Sequence, residues 1–290
     1  MGHLNVRFYV ARAIEGLVGI AAAMGLPHAF RAGSLATLQL RDQHIRFMRE
    51  ARPRASLHMT AGLLELTLSE ARLLQLLVHS ESGEIAAAIQ TRLAHVTAAE
   101  GREFPWPRRV HELSRDLFVS VPPHAAPRSL DLKPSAETAS LAAAERMDLI
   151  ALSSGAVGAA DCDAFGRMRP ELVIGRISDG IPTLGARLGS RLGPNQEAPA
   201  RMGGAVLEYR LAYMGWPVAG DRFVIRSGLV GLDDRTTRYV HWMLDPHSGR
   251  PWASTLAVAV GLDLDTRKIV PIDAEAQGRL RERITPGLAF

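Results

Sequence analysis

The sequence has one cysteine among its 290 residues and no long uninterrupted hydrophobic run. A single cysteine, Cys162, excludes an intrachain disulfide and a cysteine-based metal site, and it makes a reducing compartment the default. No run reaches the roughly 18 consecutive apolar residues of a membrane-spanning helix. Polar residues interrupt the N-terminal stretch, so it does not have the pattern of a signal peptide. We expect a cytoplasmic protein with no membrane partner.

Lysine is also scarce, and arginine carries almost all of the positive charge. The formal net charge of +4 raises the question of a nucleic-acid partner. The arginines are scattered, however, and nowhere form a block of five or more basic residues. We therefore expect no nucleic-acid partner, because an anionic small molecule would account for the charge. With 47% apolar residues, the chain has enough to bury a core.

Several catalytic signatures are missing as well. The sequence contains neither a glycine-rich phosphate loop nor a G-x-S-x-G nucleophile motif. Its histidines do not cluster at the spacing of metal ligands, so no metal is predicted. Cys162 has no histidine at a supporting position, and we interpret it as a buried structural residue.

What the sequence does contain is an internal repeat. The opening stretch returns 164 positions later (166 minus 2), where Gly2 matches Gly166 and Glu15 matches Asp179. Further on, Ser82-Gly83 returns as Ser248-Gly249, at a shift of 166 (248 minus 82). Each copy places one helix before a meander of strands. The sequence therefore predicts an α+β fold built twice.

Hydrophobic periodicity predicts the elements of each copy. Apolar residues at three- and four-residue steps predict a helix over 6–24, and a second helix begins near Pro170. Alternating segments predict strands over 34–48, 55–68, 70–79, 84–97, 148–152, 205–213, 222–232, 237–244 and 251–263. The first of these changes phase, which predicts a bulge near Asp42-Gln43.

The proline-rich segment 102–147 separates the two copies. It predicts a linker that contains a short helix over 109–119. The expected domains are therefore 1–101 and 148–290, and the tail over 273–283 is predicted to be helical.

Gly2-His3-Leu4-Asn5 followed by Tyr9 resembles the opening D-x-x-G-H-x-N-x-x-x-Y of hotdog-fold acyl-CoA thioesterases, the 4-hydroxybenzoyl-CoA thioesterase-like group. The stretches HIRFMREAR, LVHSESGEIAA and HWMLDPHSGRPWASTLAVAVGLDL are similar to strands of the same family. The resemblance covers nearly the whole chain except the linker. It implies two tandem hotdog folds, each a curved antiparallel sheet around a central helix, paired on one chain.

The family motif is divided between the two copies. In the first copy the aspartate of the motif would precede Met1, and the first strand has no sequence to form it. We therefore expect the native start to lie upstream. In the second copy the aspartate is present as Asp163, whereas Arg167 and Arg169 replace the histidine and the asparagine.

Thioester hydrolysis needs a carboxylate that activates water or attacks the carbonyl, and donors for the oxygen that becomes negative. The resemblance implies Asp163 as this carboxylate, or Glu15 and Asp179 within the central helices. Ion pairs with Arg12 and Arg176 would explain the two helical carboxylates without any chemistry. A loop or capping role would do the same for Asp163.

His3 and Asn5 are the other catalytic candidates, and three arginines are candidates for binding the substrate. His3 and Asn5 would orient water or bind the thioester carbonyl, and the alternative is local hydrogen bonding within a turn. Arg46, Arg49 and Arg52 would meet the phosphates of coenzyme A, and the alternative is a solvated strand face.

The leading hypothesis is an acyl-CoA thioesterase-like hydrolase that acts on an acyl-CoA or acyl-carrier thioester. Coenzyme A would be part of the substrate, so no separate cofactor is expected. One alternative is a degenerate acyl-CoA-binding or structural double-hotdog protein. Another is an enoyl-CoA hydratase or dehydratase, which needs an Asp and a His one helical turn apart, and neither helix holds that pair intact. Assembly into a homo-oligomer is left open.

Overall fold

The computed structural model describes residues 4–135, 138–188 and 201–290. Its helices are α1 (Val6–Ala23), α2 (Arg108–Leu113), α3 (Leu141–Arg146), α4 (Glu171–Leu188) and α5 (Ala274–Arg281). Its strands are β1 (Ala36–Phe47), β2 (Leu57–Leu66), β3 (Glu70–His79), β4 (Ile85–Thr97), β5 (Ile150–Ala156), β6 (Met202–Tyr213), β7 (Arg222–Leu232), β8 (Thr236–Leu244), β9 (Pro251–Asp263) and β10 (Ile269–Val270). Within these described ranges, no helix is long and apolar enough to cross a membrane.

The ten strands of the described ranges form a single antiparallel sheet. Its order is β2-β3-β4-β1-β6-β9-β8-β7-β5, and β10 pairs with β9. The two copies join where β1 pairs with β6, which we call the seam. Both central helices lie on one face of the sheet and contact each other, α1 over β2 and β3 and α4 over β5. The predicted α+β fold is confirmed.

The two seam strands each contain one bulge at matching places. The register shifts between Leu40 and Asp42 in β1, and between Val206 and Glu208 in β6. Because Arg41 is an extra residue in β1, the side chains after it point to the opposite sheet faces from those that an unbroken strand would give. This explains the phase change in the sequence and places the bulge next to its predicted position.

Matching glycines let each helix lie close to the sheet. A Cβ on Gly16 would lie 3.0 Å from Met59 Cγ, and a Cβ on Gly180 would lie 2.5 Å from Leu152 Cγ. Real Cβ atoms rarely approach so closely, so a side chain at either position would push the helix away from the strand beneath it.

The repeat continues beyond the strands into the proline-rich segment. Three backbone contacts of the first copy return 166 positions later. The contact of Val96 with Glu103 matches that of Leu262 with Ile269. The contact of Leu63 with Phe118 matches that of Leu229 with Ile284. The contact of Leu68 with Trp106 matches that of Asp234 with Ile272. The matched contacts favour a first unit that ends near Val119, later than residue 101.

Residues 122–134, which we call the strap, cross the seam on the sheet face opposite the helices. The carbonyl oxygen of Ala126 accepts a hydrogen bond from Arg46 Nη1 at 2.6 Å. The N–H groups of Arg128 and Ser129 donate to the two carboxylate oxygens of Glu208 at 2.7 and 2.5 Å. The strap is therefore held by side chains from both halves.

Candidate active site

The turn before α1 caps the helix. Asn5 is the N-cap residue, and its Oδ1 accepts a hydrogen bond from the N–H of Arg7 at 3.0 Å. This hydrogen bond is the local turn bonding that we gave above as the alternative to a catalytic role for Asn5. His3, the other predicted residue of this turn, lies outside the described residues.

The start of α1 is tied to the segment that follows β1. The N–H of Leu4 donates to the carbonyl of Ala51 at 2.9 Å, and the N–H of Ala51 approaches the Tyr9 hydroxyl at 3.4 Å. The Tyr9 ring meets Phe47 edge-on, with ring centroids 5.0 Å apart. Burial raises the pKa of Tyr9, so its hydroxyl stays protonated.

The equivalent turn before α4 contains Asp163. Its Oδ1 accepts hydrogen bonds from the N–H groups of Phe165 and Arg167 at 2.8 and 3.0 Å. Its Oδ2 lies 3.6 Å from Arg167 Nε, which is longer than a hydrogen bond. The Asp163 side chain is 31% exposed.

Arg167 is buried beside this carboxylate with donors to spare. Its side chain is 11% exposed, and its Nε and Nη1 have no hydrogen-bond partner in the part of the chain that the structure describes. The guanidinium lies over the rings of Phe165 and Trp216, at 4.9 and 5.9 Å from their centroids. Burial lowers the pKa of Arg167, and the charge of Asp163 opposes that shift. Two buried nitrogens of Arg167 are thus left without a hydrogen-bond acceptor among the described residues, whereas most buried donors in folded proteins have one.

Glu171, in the first turn of α4, is a second carboxylate at this place. Its side chain is 12% exposed, and its Oε1 lies 3.4 Å from Arg169 Nη1. Burial, together with the charge of Glu171, raises the pKa of Tyr213 well above its ordinary value. The sequence analysis missed this residue, because an acid directly after a helix-initial proline has the pattern of an ordinary first-turn residue.

A buried chain of hydrogen bonds runs from Tyr213 in the second copy to α1 in the first. The Tyr213 hydroxyl donates to Gln43 Oε1 at 2.8 Å, and Gln43 Nε2 donates to Thr91 Oγ1 at 3.2 Å. Thr91 Oγ1 donates to Gln75 Oε1 at 2.9 Å. Gln75 Nε2 then donates to the carbonyl of Ala13 at 2.6 Å. Because every member has a partner, this chain fixes the positions of Tyr213 and α1 relative to each other.

The predicted helical carboxylates lie away from these turns. Glu15 is 62% exposed and bonds Arg12 Nη1 at 2.5 Å, which is the predicted ion pair. Asp179 is also exposed. Its expected partner, Arg176, pairs instead with Asp161 at 3.1 Å. The structure therefore brings Asp163 together with Arg167, and it places Glu15 and Asp179 elsewhere.

Two of the three predicted phosphate-binding arginines share a cleft. Arg46 and Arg49 both line a cleft of about 520 Å³ between the end of β1 and the strap. Arg52 does not line it, and its Nε lies 3.3 Å from Glu50 Oε2.

Cys162 is half-buried, not a fully buried core residue as the sequence predicts, because it lies in the exposed turn before α4. Its Sγ is 3.5 Å from the carbonyl oxygen of Gly158. Across the described ranges, no group of three or more His, Cys, Asp or Glu side chains is placed to hold a metal ion.

Both copies match a known family. Residues 1–114 and 157–280 match the sequence model of the thioesterase-like superfamily. The chain belongs to the thioesterase-like superfamily. This confirms the predicted resemblance and the reaction class, thioester hydrolysis. No functionally curated protein matches the sequence significantly.

Solved structures show the same double-hotdog fold as this thioesterase. A putative oleoyl thioesterase from Lactobacillus plantarum is 10% identical with a TM-score of 0.65, covering 89% of this chain and 90% of that chain. A 12:0-ACP thioesterase from Umbellularia californica is 9% identical with a TM-score of 0.65, covering 90% and 88%. An acyl-ACP thioesterase from Bacteroides thetaiotaomicron is 10% identical with a TM-score of 0.61, covering 89% and 90%. The two tandem hotdog folds are confirmed.

Proposed function

We propose that this thioesterase hydrolyses an acyl thioester of coenzyme A or of a carrier protein at the start of α4, with Asp163 as the carboxylate that activates water. One observation carries the proposal. Asp163 Oδ2, which makes no hydrogen bond with a described residue, lies 3.6 Å from Nε of the buried Arg167 guanidinium. Two nitrogens of that guanidinium, Nε and Nη1, have no hydrogen-bond partner among the described residues.

The proposed reaction uses this pair as base and donor. A water molecule bound to Asp163 Oδ2 attacks the thioester carbonyl carbon and gives its proton to the carboxylate. The carbonyl oxygen becomes an oxyanion, which accepts hydrogen bonds from Arg167 and is favoured by the positive end of α4. The intermediate then collapses, the carbon–sulfur bond breaks, and the thiolate takes the proton from Asp163. The products are a free acid and a thiol.

Glu171 is the alternative carboxylate, because it lies on the same helix start and is more deeply buried than Asp163. Asp163 is favoured because its side chain is more exposed to water, at 31% against 12% for Glu171. Asn5 and His3 remain predictions for the equivalent turn before α1, where they would bind the thioester carbonyl.

Thiol release from a panel of acyl-CoAs, followed with a chromogenic reagent, tests the proposal. Asp163→Asn should lower kcat by about 100-fold or more, because the base is lost while the turn keeps its shape. Glu171→Gln is the matched control and should stay within about threefold of the parent.

The reverse result would transfer the role to Glu171. Absence of thiol release from every acyl-CoA and acyl-carrier substrate would overturn the proposed hydrolysis and favour a protein that only binds acyl thioesters. Arg167→Lys, which keeps the charge but not the planar arrangement of the guanidinium donors, should lower kcat more than it raises KM.

A further inference from the structure

Arg167 contacts two aromatic rings that come from different parts of the chain. Its guanidinium carbon lies 4.9 Å from the centroid of the Phe165 ring and 5.9 Å from that of the Trp216 ring. Phe165 belongs to the same turn as Arg167, whereas Trp216 follows the end of β6. An aromatic ring attracts a cation over its face, and the attraction is stronger where water is excluded. The two rings therefore restrict where the guanidinium lies.

Backbone contacts join the same two segments but leave the Arg167 side chain free to turn. Arg167 forms an antiparallel bridge with Val218, and the N–H of Met168 donates to the carbonyl of Pro217 at 2.7 Å. These contacts fix the backbone of the turn. They do not orient the guanidinium, whose Nε and Nη1 have no hydrogen-bond partner among the described residues. Its orientation depends instead on the two rings and on Asp163, whose Oδ2 lies 3.6 Å from Nε.

Trp216 is itself held by Tyr213, the last residue of β6. The two rings are stacked, with centroids 5.3 Å apart and planes 13° from parallel. Tyr213 is 6% exposed, and its hydroxyl donates to Gln43 Oε1 at 2.8 Å. A buried tyrosine whose hydroxyl is bonded is fixed at both ends, so its ring gives Trp216 a fixed surface to stack on.

Gln43 lies in β1, so these contacts cross the seam from the first copy to the second. The side chain is fully buried, and its Nε2 donates to Thr91 Oγ1 at 3.2 Å. Because the same amide group bonds Tyr213 and Thr91, the first copy fixes the position of the Tyr213 ring. The orientation of Arg167, in the second copy, therefore depends on a residue of the first.

The first copy has no equivalent of these contacts for its own helix start. At the shift of 166 that relates the strands, Tyr213 corresponds to Phe47 and Trp216 to Glu50. Phe47 has no hydroxyl to donate, and Glu50 has no aromatic ring. Among the described residues, this set of contacts therefore leads to the start of α4 and not to the start of α1.

We propose that Trp216 is a positioning residue for the hydrolysis: it keeps the Arg167 guanidinium where its donors meet the oxyanion. Gln43 of the first copy keeps Trp216 in place through Tyr213. The inference rests on the proposed function for the role of Arg167. The indole of Trp216 neither takes up nor gives up a proton at neutral pH, so it acts through orientation alone. Its loss should therefore lower kcat and change KM little.

Thiol release by the whole chain tests the role of the ring. Trp216→Leu should lower kcat about tenfold and leave KM within about twofold of the parent. Trp216→Phe, which keeps an aromatic ring, should stay within about threefold of the parent. Trp106→Leu is the matched control, because Trp106 is stacked on His95 in the first copy, also 13° from parallel. It should lower stability but leave kcat within about twofold, measured where circular dichroism shows each variant to be folded.

A double variant distinguishes positioning from a general loss of structure. If Trp216 acts through Arg167, Trp216→Leu should lower kcat by no more than about twofold once Arg167→Lys has removed the guanidinium. Losses of kcat that multiply in the double variant would show that the two residues act independently and would overturn the inference. An equal kcat in Trp216→Leu and the parent would also overturn it.

The Nε–H proton of Arg167 gives a readout that does not depend on activity. Its magnetic resonance signal, assigned as the one that Arg167→Lys removes, is sensitive to the position of nearby aromatic rings. Trp216→Leu should move the signal, and Gln43→Met should move it less, because the ring stays but loses its support. If Gln43→Met does not fold, Tyr213→Phe, which removes the same hydrogen bond, decides the link. An unchanged signal in Trp216→Leu, or in the variant that removes this hydrogen bond, would overturn the inference.

The two measurements separate this inference from the proposed function. A signal that responds to Trp216→Leu in a protein that releases no thiol would show that Trp216 orients Arg167 and would overturn the proposed hydrolysis. Hydrolysis by the parent that Trp216→Leu leaves unchanged would keep the proposed function and overturn the positioning role.

Discussion

His44 and Arg210 lie directly opposite each other where β1 pairs with β6, and they are also equivalent positions of the two copies (44 plus 166). The pseudo-twofold axis of the molecule therefore passes between them. Two contacts follow from this symmetry. Arg210 Nη2 lies 2.6 Å from Asp42 Oδ2, and His44 Nε2 lies 3.1 Å from Glu208 Oε1. Asp42 and Glu208 are themselves equivalent, so each half supplies a carboxylate to the other.

Breaking the Asp42–Arg210 pair should destabilise the fold. Both side chains are largely buried, at 12% and 3% exposed. Arg210→Met should lower the free energy of unfolding by about 3–5 kcal/mol, because Asp42 is left buried without its partner. Urea denaturation measures this. Arg108→Met, which breaks an exposed pair with Glu112, is the control and should cost no more than about 1 kcal/mol. An equal loss of unfolding free energy in the two variants would contradict the interpretation that the buried pair stabilises the fold more than the exposed pair.

The contact between β2 and the residues after α2 can be tested with a glycine. A Cβ on Gly62 would lie 2.6 Å from Val119 Cγ1, and the N–H of Val119 donates to Leu63. Gly62→Ala should therefore lower the free energy of unfolding by about 1–3 kcal/mol. Adding Val119→Ala should recover part of this loss. Gly204→Ala has nothing within 4 Å of its new Cβ and serves as the control. A Gly62→Ala cost that Val119→Ala does not change would argue against the contact.

His241 should make stability depend on pH below neutrality. Burial lowers its pKa from 6.5 to about 3, and Ser227 Oγ lies 2.8 Å from its Nδ1. The folded protein keeps the ring neutral, whereas the unfolded chain takes up a proton below pH 6.5. The free energy of unfolding should therefore fall by about 1.4 kcal/mol per pH unit as the pH drops from 6.5 towards 3.

Urea denaturation at pH 7.5 and pH 5 compares the parent with His241→Gln. The parent should lose about 2 kcal/mol more than the variant over this interval, since only the parent gains this proton on unfolding. Exposed His124→Gln should keep the slope of the parent. Parallel pH profiles for the parent and His241→Gln would show that the ring is not held neutral.

The exposed helical carboxylates should be dispensable for catalysis. Glu15 is bonded to Arg12 in solvent, and Asp179 is exposed on α4. Glu15→Gln and Asp179→Asn should each leave kcat/KM within about twofold of the parent, as surface substitutions usually do. The thiol-release assay measures this. A large loss of kcat in either variant would indicate that the substituted carboxylate takes part in the reaction.

Much of the fold could be predicted from the sequence, because strand alternation and helix periodicity are local properties. Strands β3, β7 and β9 begin and end where the alternation predicts. The sequence does not predict that the repeat extends past residue 101. The matched contacts there are backbone hydrogen bonds, which residues with different side chains can form. Trp106 and Ile272 make the same contact with little similarity beyond being apolar.

The candidate site was harder to predict, because the burial of a side chain and its distance from other side chains depend on residues that are far away in the sequence. The sequence predicts Asp163 as the carboxylate and has Arg167 where the motif has a histidine, but it does not show that two guanidinium nitrogens are buried without a hydrogen-bond partner among the described residues. Arg46 and Arg128 meet at one cleft although 82 positions separate them (128 minus 46). No periodicity relates such residues, and only the path of the strap across the seam brings them together.

The strap also changes how the two halves depend on each other. Two separate hotdog chains would associate in proportion to their concentration, whereas a covalent connection makes their pairing intramolecular. Dilution cannot separate halves that share one backbone. Within one molecule, each copy is paired with the other copy. One copy can therefore keep Arg46 while the other has Ala212 at the same place, and every molecule still contains one of each.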